Sequence, residues 1–83
     1  MNDTNDKIRS FILSDLQFAG PADELTDDYP LIGNNALDSL GIFHLVSFLE
    51  RQFGVQIDDH ELVPDNFGTI GRIAALVHQK QVQ

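Results

Sequence analysis

The sequence predicts an all-α fold, a small bundle of three substantial helices and one short one, with its longest connection between the first two. Three observations predict it. Apolar residues recur at spacings of three and four in three separate stretches. No stretch alternates cleanly enough for a strand of more than a few residues. Gly20-Pro21 and Gly54 close the first two periodic stretches, as helix stops do. At 83 residues the chain is expected to form a single domain over 1–83. It has no cysteine, so its stability must come from packing, for which the 42% hydrophobic content is adequate.

The first helix is expected from about residue 4 to residue 18. Asp3 or Thr4 caps it, and Ile8, Phe11, Ile12 and Leu16 form its apolar face. Residues 19–37 carry no sustained period, yet Leu25, Tyr29, Leu31, Ile32 and Leu37 are too many for a freely solvated linker. A long ordered loop pinned to the core follows, and a connection of that length usually serves a function. Its acidic residues Asp23, Glu24, Asp27 and Asp28 read as a solvated face, since they lack the glycine and final glutamate of a calcium loop.

Asp38-Ser39 opens the clearest helix, with Ile42, Leu45, Val46, Leu49 and Phe53 as its buried stripe and Gly54 at its end. Val55, Ile57 and Leu62 then dip toward the core. Pro64–Phe67 forms one helical turn anchored by Phe67. Thr69 caps a last helix bearing Ile70, Ile73, Ala74 and Val77. Phe11, Phe43, Phe53 and Phe67 are assigned to the core. Phe48 either packs on it or lines an opening.

Thirteen acidic residues against five basic give a net charge of -8. Such a surface repels nucleic-acid phosphates and anionic lipid, and it favours partners with basic patches. The same charge also keeps a small protein soluble. The first 20 residues show no basic start followed by an apolar run, and nothing approaches the ~20 apolar residues of a membrane span. A cytoplasmic monomer is expected, with neither nucleic acid nor membrane as partner.

Leu37-Asp38-Ser39-Leu40 is the segment with chemical potential. Asp and Ser at a helix start can be capping residues and nothing more. Here the pair follows an apolar-studded loop and precedes a strongly amphipathic helix ending Leu49-Glu50-Arg51-Gln52-Phe53-Gly54-Val55. Pro64-Asp65-Asn66-Phe67-Gly68-Thr69-Ile70 comes next. In that order and spacing the chain resembles the acyl and peptidyl carrier proteins over nearly its whole length. Where many members have glycine two residues before the aspartate, Ala36 stands; the nearest upstream glycine is Gly33.

The resemblance implies an acyl-carrier-like four-helix bundle in which Ser39 accepts a covalent 4′-phosphopantetheine from coenzyme A. Asp38 caps the helix and assists the attachment. It also implies a free-standing carrier, not an enzyme, that holds acyl or aminoacyl units as thioesters. The partners implied are a phosphopantetheinyl transferase, a loading ligase or transferase, and downstream biosynthetic enzymes. A phosphodiester on Ser39 would lie at the positive end of the helix dipole. Leu40, His44, Ser47 and Arg51 fall in one strip beside it and are the candidate partner-recognition residues.

A nucleophilic Ser39 is disfavoured. The hydrolase elbow needs glycine where Leu37 stands, and no strand precedes the turn. His44 lies roughly 140° around the helix from Ser39. His44, His60 and His78 sit in separate segments, so no metal site is expected. The second helix carries only Asp38 and Glu50 as acids, with His44 and Arg51 interrupting them. That favours a carrier of secondary metabolism, of polyketide or nonribosomal peptide type, over a fatty-acid carrier. A third alternative is an unmodified acidic interaction module, and the intact Asp38-Ser39-Leu40 speaks against it.

Overall fold

The computed structural model describes residues 3–16, 18, 20–34 and 36–81. Four helices follow in order: α1 (Asp3–Ser14), α2 (Ser39–Phe53), α3 (Pro64–Phe67) and α4 (Ile70–Gln81). Two 3₁₀ turns, Ala22–Glu24 and Asp59–Glu61, lie in the connections, and no strand occurs among the described residues. The expected all-α bundle with a short third helix is what the chain forms. Among the described residues no helix is long and apolar enough to cross a membrane.

α4 is the hub, packing against α1, α2 and α3. Its Ile70, Ile73, Ala74, Leu76 and Val77 are buried, and they meet Ile8, Phe11 and Ile12 of α1 and Leu45 and Leu49 of α2 in one core. Phe67 is fully buried, so the single turn of α3 serves to deliver that ring. Thr69 caps α4 as expected, its Oγ1 accepting from the Arg72 N–H at 3.1 Å. Gly54 ends α2 in the left-handed conformation at φ 66°, which an L side chain adopts only with strain.

Several expectations are corrected. α1 ends at Ser14, not near residue 18, so Gly20-Pro21 is not its stop. Ser14 Oγ donates to the Ser10 carbonyl at 2.8 Å, and the N–H groups of Asp15 and Leu16 both converge on Phe11 O. The ladder thus widens and unwinds before the glycine is reached. Thr4 is inside the first turn of α1 rather than ahead of it, and Asp3 is already helical. The α2 stripe is narrower than expected: Leu45 and Leu49 are buried, with Gly41 above them, whereas Ile42, Val46 and Phe53 are only half-buried flanks. Phe43 is not a core residue. It is 61% exposed, because at 100° per residue it stands nearly opposite Leu45 and Leu49.

The loop between α1 and α2 is held as an ordered structure. Leu25, Leu31 and Leu37 are buried at regular six-residue intervals, with Tyr29 and Ile32 packed partly against the core. Backbone bonds fasten it as well. Leu31 N–H donates to Gly68 O at 2.8 Å, and Gly71 N–H donates to Asp27 O at 3.0 Å. Asp27 corrects the picture of a wholly solvated acidic face, since it is half-buried and its carboxylate pairs with Arg9 of α1. The same guanidinium reaches Leu25 O at 2.8 Å and Asp6 at 2.9 Å.

At the other end, Lys80 of α4 meets Glu61 at 2.5 Å and Asp58 at 3.9 Å. The Lys80 ammonium foremost, and the Asp58 N–H at 3.0 Å, hold the Glu61 carboxyl below its ordinary value. Asp58, His60 and Glu61 could together face a cation, but the lysine already takes that place.

Two outcomes follow for stability. Leu49 is fully buried, so Leu49→Ala should cost about 2–5 kcal/mol, and Leu49→Met under about 1.5 kcal/mol, in denaturant titration. Equal losses from both would place Leu49 outside the close-packed core. For Glu61 the lowered carboxyl stabilises the fold fully above the unfolded glutamate value, about 4.3, and the gain disappears as pH falls through the folded value. Glu61→Gln should therefore lower the melting temperature at pH 7, and the gap to the parent protein should close as the pH is taken toward 3. A gap independent of pH would show that the ion pair does not stabilise the fold.

Candidate functional site

The start of α2 is positioned from both sides. Upstream, Leu37 is buried, and the N–H groups of Ala36 and Leu37 both donate to Leu31 O, at 2.7 and 3.1 Å. Ala36 itself packs partly against the core, so the methyl that stands in place of glycine is accommodated. Downstream, Asp38 is extended (φ -107°, ψ -176°), and its carboxylate accepts from the Gly41 N–H at 2.7 Å. Its carbonyl accepts from Ile42 N–H at 2.8 Å, closing the first helical turn. Asp38 is therefore a helix cap, as expected.

Ser39 is the first residue of α2 and is exposed. The helical ladder does not use the N–H groups of Ser39 and Leu40, which belong to the free positive end of the helix. Gly41 is buried beneath them. A Cβ there would lie 3.2 Å from both Asp38 Oδ1 and Leu37 Cδ1, so the glycine keeps the cap and the leucine close under the serine. A hydroxyl held at a fixed, solvent-facing position beside unpaired N–H donors can take a phosphate group.

Leu40, His44, Ser47 and Arg51 are all exposed, and Leu40 is 66% exposed. They lie beside α1: His44, Ser47 and Arg51 border a hollow with Phe11, Asp15 and Leu16. Arg51 Nε donates weakly to Ser47 O at 3.4 Å. Phe43 joins this surface, being three residues beyond Leu40 and four before Ser47. Its apolar type pointed to the core; counting the helical phase from Leu45 and Leu49 would have placed it outside. Phe48 stacks on Phe11 with ring centroids 4.4 Å apart and meets Phe53 edge-on at 6.3 Å. It packs on the core and borders an open groove. Glu50, the one acid within α2, is half-buried and accepts from the Ile57 N–H at 3.1 Å.

Comparison with known proteins agrees with this geometry. Residues 6–77 match the family model described as "Phosphopantetheine attachment site". The chain is similar to "Probable acyl carrier protein PigG" of Serratia sp. (strain ATCC 39006), with 40% identity over 60 residues, covering 72% of this chain and 69% of that protein. It is also similar to the "Acyl carrier protein" of Thermotoga maritima, with 33% identity over 57 residues, covering 69% of this chain and 68% of that one. Among solved structures, a chain of "Crystal structure of FAD-dependent dehydrogenase" superposes with a TM-score of 0.75 and 38% identity, over 84% of this chain and 97% of that chain. With a capped helix presenting a serine in the middle of the matched region, the chain belongs to the phosphopantetheine-attachment family of acyl carrier proteins, which are carriers rather than enzymes and bear a covalent 4′-phosphopantetheine.

Proposed function

We propose that Ser39 is the attachment residue and that the protein carries acyl or aminoacyl units in secondary metabolism. The exposed hydroxyl at the first position of a helix locked by Leu37 and the Asp38 cap is the chief support. The group fits there: a phosphodiester on Ser39 would extend into solvent, beside N–H donors and the positive helix end. When bound, the arm supplies a thiol that holds the cargo as a thioester. The residues of the chain fix its root, with Asp38 aligning the serine for the phosphopantetheinyl transferase.

The pathway assignment rests on α2. Its only acid, Glu50, is turned toward the Ile57 N–H, leaving His44 and Arg51 as the ionisable groups on its exposed face. A basic docking patch meets only Asp38 at the cap and the half-buried Glu50 as carboxylates of this helix, whereas an acidic patch would find Arg51.

Incubation with coenzyme A and a broad-specificity phosphopantetheinyl transferase should add one phosphopantetheine mass, and Ser39→Ala should abolish the gain. Unchanged labelling of that variant would overturn Ser39 as the site. Arg51→Glu should slow loading by the cognate ligase or transferase about tenfold, the worth of roughly 1.4 kcal/mol. Mass gain and circular dichroism should stay as in the parent. Equal loading rates at low salt would remove Arg51 from partner recognition.

A further inference from the structure

The loop between α1 and α2 leads to Ser39 through successive fastenings. The later ones are the Leu31 N–H on Gly68 O and the Ala36 and Leu37 N–H groups on Leu31 O. An earlier one comes from a single side chain, Arg9 of α1. Its Nε donates to Leu25 O at 2.8 Å and its Nη2 to the Asp27 carboxylate. One planar guanidinium thus grips the loop at two points, two residues apart. Asp6, one turn earlier on α1, accepts from Nη1 at 2.9 Å and sets the plane of the group. The Arg9 side chain is only a quarter exposed, so these contacts are partly shielded from water and salt. Asp27 is held from another side as well, its carbonyl accepting from the Gly71 N–H of α4 at 3.0 Å. At Asp27, therefore, α1, the loop and the start of α4 meet.

Two residues further on stands Tyr29. Its N–H turns back onto Thr26 O at 3.2 Å, and its ring meets Phe18 edge-on with centroids 5.4 Å apart. Both rings line a hollow of about 390 Å³ that Asp38, Leu40 and Gly41 border at the start of α2. The segment that Arg9 grips is continuous with the wall that faces the root of α2.

We propose that Arg9 is a positioning residue for the modification of Ser39: through Leu25 and Asp27 it holds the loop wall that a phosphopantetheinyl transferase meets on reaching the serine. The inference rests on the reading that Ser39 takes the arm. The argument is one of populations. Between α1 and α2 the regular structure described is the single turn Ala22–Glu24, so the shape of the loop depends on point contacts. With the guanidinium removed, Leu31 and the buried leucines still hold the loop to the core, while the stretch around Asp27 samples other arrangements. A binding-competent form present only as a fraction of the molecules weakens apparent binding by the inverse of that fraction. Ser39 and its Asp38 cap are untouched, so the bound serine reacts as before. The signature is a raised KM with kcat preserved. Lysine at position 9 could pair with Asp27 but has no fork to reach Leu25 O at the same time, so it restores only part of the grip.

The test uses the full chain in its apo form, a broad-specificity phosphopantetheinyl transferase and coenzyme A. Mass gain in the parent protein and its loss in Ser39→Ala establish the site first; a parent that gains no mass at Ser39 would overturn that reading, whatever Arg9 does. Arg9→Gln should then raise the KM for the carrier about five- to tenfold with kcat within about twofold, and Asp27→Asn should do nearly the same. The double variant should be no worse than either single one, because both remove one shared contact. Arg9→Lys should lie between parent and Arg9→Gln. Glu61→Gln loosens the other end of the bundle and should leave KM at the parent value, which separates positioning from general loss of stability. Hydrogen exchange at the Tyr29, Leu31 and Leu37 amides should quicken in Arg9→Gln and not in Glu61→Gln. Circular dichroism checks folding, and if Arg9→Gln does not fold, Asp27→Asn carries the same comparison. A parent-like KM in the folded variants, or an equal rise in Glu61→Gln, would overturn the positioning role.

Discussion

Leu31 holds the molecule together at the point where regular structure is lacking. Its side chain is fully buried, its N–H is bonded to Gly68 beside α3, and its carbonyl accepts from both Ala36 and Leu37. One residue thus joins the loop to the far side of the bundle and fixes the approach to α2. The buried amide and carbonyl would be costly to leave unpaired, so a loop that slipped by one residue would lose burial and hydrogen bonds together. Gly68 takes part for a steric reason: a Cβ there would come within 2.9 Å of Pro64 O. The position of Ser39 is the downstream result of that fastening.

The helices and their order were legible in the sequence because a period of 3.6 in Ile, Leu and Val leaves few alternatives. Gly54 and the Asp38-Ser39 pair marked the ends of α2 because their cap geometry is local. The end of α1 was not legible, since Ser14 bonds backward to Ser10 and that choice depends on what the following residues meet. Asp27 looked like one more exposed acid; only the fold brings Arg9, eighteen residues earlier, against it. Phe43 misled through its residue type, although its phase on α2 held the correct answer.

Charge is distributed unevenly over this small surface. Acids crowd the first 28 residues and the stretch from Asp58 to Asp65, while several of them are spent on internal pairs with Arg9 and Lys80. Those pairs close the two ends of the bundle where no disulfide could. Exposed pairs of this kind contribute modestly one by one, but Arg9–Asp27 and the Lys80 pairs with Asp58 and Glu61 join segments distant in sequence, while Arg9–Asp6 stays within α1. The bundle therefore gains its cross-links from the same residues that give it its negative field.

The inward turn of Glu50 bears on which partners the face of α2 can accept. A carboxylate engaged by the Ile57 N–H is withdrawn from the exposed face of α2, while Arg51 beside it remains outside. Discrimination between partners is a difference of affinities, and a withheld contact lowers the wrong one as surely as a new contact raises the right one. In the carrier role proposed here, such a face would act as insulation, keeping a cargo mounted on this protein out of the traffic of enzymes that search for acidic helices.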